Sequence, residues 1–362
     1  MSDVEEDDCE ELPEGLVQRR AAFDIGSGST KLMIADVDVE TGQLGDIVHA
    51  SERTVKYAFD WKTHGVLSDA VQAEGIKVLH GLRTEVLASG CTAYTAIATE
   101  VFRKAPNGAA FLQRVHAELG LEVALVSQEE EAQIGFRTAV AVGQRGRAAT
   151  LAWDSGGGSF QLSREVAAGE AGAPPGLRTY VGALGASVAT AAMIEHVQQR
   201  RLAESASPNP ASRAEAELLV AHCTAQLETP PPWLRGAALA TAIGGANSIF
   251  RCVEQVTHDL DPAAAAAAAA AGAPPGRFGV AAVRAALEAC CGLTDAALAE
   301  RGHAEAPMVV PKLCLLLAVL EACGLQEFEC AGLWPQALTP TPAWPQALTP
   351  TPAWTLSPSS FG

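Results

Sequence analysis

The sequence predicts an α/β protein built from two related halves, and three observations carry that prediction. Strand-like and helix-like stretches alternate along residues 19–163, as they do where helices cover a largely parallel sheet. An apolar strand ending in Asp, a Gly/Ser turn and a second strand occur twice, at 21–37 and at 150–163. A chain of 362 residues that is 48% apolar buries enough surface for two domains or one large one.

Each element has its own signal. The acidic run SDVEEDDCEELPE repels itself, so residues 1–20 read as a solvated, disordered tail. RRAAFDIGSGSTKLMIADVDVETGQLGDIVHASERT (19–54) reads as three strands joined by turns, its apolar runs bounded by Gly, Ser and Asp. Val71, Ile76, Leu79 and Leu82 recur at helical spacing and predict a helix within 66–88. CTAYTAIAT (91–99) is a strand, and PNGAAFLQRVHAELGL (106–121) carries the Pro/Asn start and the Gly120 stop of a helix. EVALVS (122–127) reads as a strand and QEEEAQIGFRTAVAVG (128–143) as a helix. TLAWDSGGGSFQLS (150–163) then restarts the strand–turn–strand pattern. Helices at 185–200 and 211–227 flank the loop ESASPNPAS, and AALATAIGGANSIFRCV (237–253) forms a third strand–Gly turn–helix unit. Nine consecutive alanines make 261–276 a low-complexity insert. MVVPKLCLLLAVLEACGL (308–325) includes Pro311, Lys312 and Glu321 and falls short of the ~20 clean apolar residues of a membrane span, so it reads as a buried helix. The unit WPQALTPTPA occurs twice from residue 334, and its prolines predict an extended, disordered tail over 333–362, outside helix and sheet. The expected organisation is a first lobe at 21–140 and a second at 141–332, with the last helix free to return to the first lobe.

A net charge of −17 argues against nucleic acid or an anionic membrane as partner. Nine cysteines without a CxxC pair or His/Cys ligand spacing predict reduced thiols rather than a disulfide framework or a zinc site. No basic segment followed by an apolar one opens the chain, and a cytoplasmic location is expected.

The chemistry concentrates in the glycine turns. Bare backbone at Gly26, Gly28, Gly156, Gly157, Gly158, Gly244 and Gly245 can lie close to a phosphate and offer it N–H groups. Ser27, Ser29, Thr30 and Ser159 add hydroxyls, Lys31 a positive charge, and Arg103 a guanidinium suited to phosphate oxygens. Asp24 and Asp154, at strand ends beside two of the turns, can hold Mg²⁺ through water. Glu129, Glu130 and Glu131 open a helix, where acidic residues are favourable for their own sake. Glu131 starts a face continued by Ile134 and Gly135 and can point inward as a general base. The plain alternatives are surface turns and solvent-exposed charge.

Six motifs occur in one order: DIGSGSTKLMI (24–34), ATEVFRKAPN (98–107), VSQEEEAQIGF (126–136), DSGGGSFQLS (154–163), LGASVAT (184–190) and AIGGANSIF (242–250). Together they resemble the exopolyphosphatase / guanosine pentaphosphate phosphohydrolase family. That resemblance implies a two-lobed actin-like ATPase (ribonuclease H-like) fold with the active site between two α/β lobes. It also implies Mg²⁺-assisted removal of terminal phosphate from inorganic polyphosphate or guanosine pentaphosphate, in a protein that can form a homodimer. By the resemblance Glu131 is the catalytic base with Glu130 beside it, and the phosphate loops are Gly26–Lys31 and Gly156–Ser159. The chain departs from the family pattern at Gly28 (usually Asn), Lys31 (usually Arg), Gln128 (usually Gly) and Gln161 (usually Glu). The rival expectations are a kinase or activator-type ATPase of the same fold, a non-catalytic polyphosphate or nucleotide sensor, and an interaction scaffold built on the tail repeats.

Overall fold

The computed structural model of the chain describes residues 17–40, 44–142, 146, 150–169, 174–234, 239–263, 266, 276–330 and 351–352. Two six-stranded sheets share one plan. In the first, β1 (Val17–Ile25), β2 (Ser29–Asp38) and β3 (Leu44–Thr54) form an antiparallel meander, and β4 (Ala93–Ala98) lies parallel to β1 on its other side. A two-residue β5 (Ala124–Leu125) extends β4 in parallel. In the second, β6 (Leu151–Ser155), β7 (Phe160–Val166) and β8 (Gly176–Gly182) form the meander. Beyond β6 lies β9 (Leu239–Ile243), parallel to it; β11 (Glu327–Cys330) follows in parallel, with β10 (Arg277–Gly279) antiparallel at the edge. The internal repeat read from the sequence is therefore a repeat of topology, and the fold is a two-lobed actin-like α/β architecture.

Helices follow the expected apolar spacings. They are α1 (Tyr57–His64), α2 (Asp69–Ala88), α3 (Glu100–Lys104), α4 (Gly108–Leu119), α5 (Gln128–Val142), α6 (Ala186–Ala192), α7 (Arg213–Gln226), α8 (Ile249–Leu260), α9 (Val280–Cys290), α10 (Asp295–Glu300) and α11 (Val309–Cys323). Gly120 ends α4 in the left-handed conformation that glycine adopts without strain. The first lobe packs Phe23, Tyr57, Tyr94, Phe102 and Phe111 into one core; the second packs Trp153, Phe160, Phe250 and Phe328 into another.

Several expectations change. The strand drawn over 122–127 contracts to Ala124–Leu125, and the helix drawn over 185–200 gives way after Ala192 to a π-helical turn, Met193–Val197. The last helix does not return to the first lobe: every residue of α11 from Val309 to Leu320 is buried, and the helix forms part of the second lobe's core. A helix apolar all round belongs in the middle of a core rather than across a surface. The 18-residue stretch Ala306–Cys323 is long and apolar enough to cross a membrane, and 78% of it is buried inside the protein. A boundary at residue 140 runs through α5, which packs on both sheets: Ile134 against Ile97 and Val126, Phe136 and Ala139 against Ala152 and Ile243. Residues 17–20 belong to β1 rather than to the acidic tail, and 1–16 lie outside the described residues. Most of the alanine insert and of the proline tail lies outside them too. Thr351 and Pro352 pair antiparallel with Tyr94 and Ala93, so the tail re-enters a sheet at its edge, where proline's missing N–H is tolerated. All eight described cysteines are free thiols.

Candidate active site

The first meander turns at Gly26–Ser29 and the second at Gly156–Ser159, each closed by an N–H···O bond of 2.9 Å, Gly26 to Ser29 and Gly156 to Ser159. None of these turn glycines has a positive φ. What demands glycine is space. A Cβ at Gly157 would stand 3.2 Å from the Gly28 nitrogen, 3.3 Å from Ser27 Cβ and 3.1 Å from Ser187 Oγ. One at Gly158 would overlap the Glu100 carboxylate, and one at Gly185 would overlap the backbone of Gly157 and Gly158. The two turns, about 130 residues apart in sequence, thus meet face to face. The first is pinned from behind by Val55 and Ala58, whose N–H groups donate to the Gly28 and Ser27 carbonyls at 3.1 and 2.9 Å. The second is pinned by the start of α6, where Ala186 and Ser187 donate to the Gly156 and Gly157 carbonyls at 3.0 and 2.9 Å.

Sheet register sets the charges. Across the first meander Asp24 pairs with Lys31 and Lys31 with Glu52. Across the second, Asp154 pairs with Gln161. Lys31 Nζ lies 3.4 Å from Asp24 Oδ2. Burial opposes the charge on Lys31, but Asp24, Glu52 and Asp154 around it raise its pKa and hold it protonated. Burial raises Asp24 against the pull of Lys31. Asp154 is pushed up to about 6, by burial first and then by Asp24, with Lys31 opposing. Glu131 is pushed up to about 7, chiefly by burial and further by Asp154 and Asp24, although Arg103 works against the rise. Arg103 Nη2 donates to Glu131 Oε2 at 2.9 Å while Nη1 donates to the Val126 carbonyl at 2.6 Å.

One cleft gathers Asp24, Gly26, Ser27, Gly28, Ser29, Lys31, Glu131, Asp154, Gly156, Gly157, Gly158, Ser159 and Gly245. Four expected residues stand elsewhere. Thr30 is fully buried, because its strand neighbours Ser29 and Lys31 take the cleft face and alternation sends Thr30 to the other. Glu130 closes a capping box with Ser127: its carboxylate accepts from the Ser127 N–H at 2.7 Å, and its own N–H donates to Ser127 Oγ at 3.2 Å. Arg103 stands behind Glu131 and orients it rather than lining the cleft. Gly244 lies under Ser248, where a Cβ would clash with the serine side chain. Sequence reasoning missed Glu52, which accepts from Ser29 Oγ at 2.7 Å and from the Asn247 N–H at 3.3 Å. It also missed Glu100, Ser187, Asn247, Glu305 and Lys312, all of which line the cleft.

The donors present fit a hard divalent ion such as Mg²⁺. Asp24, Asp154 and Glu131 bring buried or partly buried carboxylates whose pKa values are raised chiefly by desolvation and further by neighbouring carboxylates. Among the described residues no group of three or more His, Cys, Asp or Glu is arranged to cage a metal.

Comparison with known proteins bears on the family and the fold. Residues 34–169 match the model of the Ppx/GppA phosphatase family. Exopolyphosphatase 1 of Mycobacterium tuberculosis is 26% identical over 148 residues, 41% of this chain and 42% of the relative's own length. The structure of the Aquifex aeolicus PPX-GPPA enzyme superposes over 88% of this chain and 97% of its own at a TM-score of 0.60 and 18% identity. An exopolyphosphatase from Cytophaga hutchinsonii does so over 89% and 96% at a TM-score of 0.66 and 16% identity. At those identities the structural likeness speaks for the fold alone. The family-model match over residues 34–169 takes in three of the six motifs, ATEVFRKAPN, VSQEEEAQIGF and DSGGGSFQLS, and over that stretch this chain is similar to the Ppx/GppA phosphatases.

Proposed function

We propose that the protein is a phosphoanhydride hydrolase that releases terminal phosphate from inorganic polyphosphate or guanosine pentaphosphate. The observation that carries this reading is Glu131, a mostly buried carboxylate with a pKa of about 7, facing the cleft where two glycine turns from different sheets meet. The turns Gly26–Ser29 and Gly156–Ser159 would grip the oxygens of the terminal phosphate through backbone N–H groups and serine hydroxyls. Lys31 adds the positive charge between Asp24 and Asp154. Arg103 fixes the Glu131 carboxylate, which orients a water for in-line attack and takes its proton. A pKa near neutrality suits that task, since the base is then ionised in part at neutral pH and still basic enough to accept a proton. Asp24 and Asp154 are the residues that would hold Mg²⁺, which when bound supplies charge neutralisation on the phosphate oxygens.

The test is phosphate release by purified protein from inorganic polyphosphate, guanosine pentaphosphate and ATP, with and without Mg²⁺. The expected rate rises as pH climbs through about 7, where Glu131 ionises. Glu131→Gln should keep the fold and lose roughly 10²–10⁴-fold in kcat, the usual range for a general base. A folded Glu131→Gln protein that works as fast as wild type overturns the assignment.

A further inference from the structure

Four backbone N–H groups at the facing turns are free. Among the described residues none accepts a hydrogen bond from the nitrogen of Ser27, Gly28, Gly157 or Gly158. Free donors on bare turns are what an anion binds. A carboxylate stands beside them. Glu100, the first residue of α3, is 6% exposed and lines the cleft. A Cβ on Gly158 would overlap Glu100 Oε2 and stand 3.3 Å from Ser27 Oγ, so the carboxylate lies where the two turns approach.

Only one oxygen of that carboxylate is answered. Glu100 Oε1 accepts from Lys104 Nζ, one helical turn on, and no described residue donates to Oε2. The Lys104 side chain is 47% exposed and that of Glu100 8%, so the pair turns its ammonium to solvent and its carboxylate to the turns. On a surface, an acid at a helix start paired with a lysine four residues on needs no function. Here the acid is buried in a cleft that already holds Asp24, Asp154 and Glu131. A further negative charge beside free N–H groups repels the anion those groups would bind.

We propose that Glu100 is a charge filter at the second turn, a specificity-determining residue that keeps bare phosphate chains off the free N–H groups. The cleft then takes a chain whose charge a divalent ion already shares, and rejects the same chain as a naked polyanion. The inference rests on the reading that the cleft holds a phosphate chain. Repulsion by Glu100 acts in full on the bare chain and falls once an ion shares the phosphate oxygens. Lys104 moderates it from the solvent side. A purely structural Glu100, anchoring α3 through Lys104, would instead leave the metal dependence of binding untouched.

The experiment is calorimetric binding of inorganic tripolyphosphate to the full chain carrying Glu131→Gln, which removes the proposed base, in EDTA and in excess Mg²⁺. Adding Glu100→Gln keeps the shape and removes the charge; it should tighten metal-free binding about tenfold and binding in Mg²⁺ less than about twofold. Adding Lys104→Gln instead strips the counter-charge and should weaken metal-free binding about threefold or more. Metal-free binding that Glu100→Gln leaves within about 1.5-fold marks a structural pair and overturns the proposal. Weaker binding of Glu100→Gln in Mg²⁺ marks a metal ligand and overturns it too, as does a Lys104→Gln change in the same direction as that of Glu100→Gln. Should Glu100→Gln lack a cooperative thermal transition, Glu100→Ala, which leaves no buried polar group, carries the same expectation. A wild-type protein that releases no phosphate, beside the metal-free tightening in Glu100→Gln, removes the hydrolase reading and leaves the filter. An active wild type beside an unchanged Glu100→Gln does the reverse. No tripolyphosphate binding by any of these proteins in either buffer removes both.

Discussion

The turn of the first lobe, Gly26–Ser29, and that of the second, Gly156–Ser159, close with the same hydrogen bond and sit at the same point of the same strand order. Their neighbours differ. Across the meander from Asp24 stands Lys31, and across from Asp154 stands Gln161, which is buried and reaches back to Ser159 Oγ at 3.4 Å. One ammonium therefore serves two aspartates. Lys31 touches Asp24 directly, and its charge also pulls down the pKa of Asp154. The difference teaches that the halves are alike as backbone and unlike as electrostatics. At the turns the first half supplies the cation, and the second supplies a carboxylate that feels that cation's charge. A cleft with this surplus of acid receives a polyanion only with help, from Lys31, from a divalent ion, or from both.

The most severe way to break the asymmetry is to erase it. Lys31→Gln makes the first turn resemble the second and strips the cation from between the two aspartates. The expected loss in kcat/KM for phosphate release is roughly 10²-fold, the scale of one charged donor at a transferring phosphoryl group. Combining Lys31→Gln with Gln161→Lys returns one cation to the cleft from the opposite sheet and should recover part of the loss. A Lys31→Gln enzyme within about threefold of wild type would show that backbone and metal alone carry the phosphate.

A gentler probe asks whether the two turns tolerate the same methyl group. At Gly28 a Cβ meets nothing nearer than Ser187 Oγ at 3.6 Å, an ordinary contact. At Gly158 it overlaps the carboxylate of Glu100, itself buried and paired with Lys104. Gly158→Ala should cost about 1–3 kcal/mol as an overpacked site, and Gly28→Ala under about 1 kcal/mol. Chemical denaturation of both variants measures the gap, and equal losses would mean that the second turn is looser than its packing implies.

How much of this the sequence discloses depends on the distance over which each feature is decided. The turns are legible because a local run of small residues between apolar strands has few other uses, and the repeat at 21–37 and 150–163 survives as matching topology. Glu131 is legible through its place at a helix start, yet the residue beside it is not: Ser127 and Glu130 spell a capping box, which gives Glu130 a local structural duty. Thr30 could have been set aside by counting alternate residues from Lys31. Glu52 carries no local mark. Its partnership with Ser29 depends on the β2–β3 register, which shifts at Ala35, and its bond to Asn247 joins residues 195 positions apart. Lys312 did carry a signal, as a lone cation in the most apolar helix, but nothing local says that the helix end borders a cleft.

The smallest expected effect separates the two aspartates by stability. Asp154 has a folded pKa of about 6 against an ordinary value of 3.8. A carboxyl whose pKa is raised by folding stabilises the protein fully below its unfolded pKa, and that contribution is lost as pH rises through the folded value. Between about pH 4 and 6 the folded protein thus loses stability as Asp154 ionises. Asparagine cannot ionise, so Asp154→Asn should match wild type near pH 4 and exceed it at pH 8. The gain should be about 1–2 kcal/mol, less than the full shift implies because the cleft admits solvent and the carboxylates there are coupled. For a chain of 362 residues that is roughly 1–3 °C in Tm. Asp24→Asn should gain less at pH 8, because it leaves Lys31 without the carboxylate it touches. Thermal unfolding of the three proteins at pH 4 and pH 8, without divalent ions, gives the comparison. A gain for Asp154→Asn that is the same at both pH values, or that is smaller than the gain for Asp24→Asn, would show that the second aspartate is not the one held at a distance from its cation.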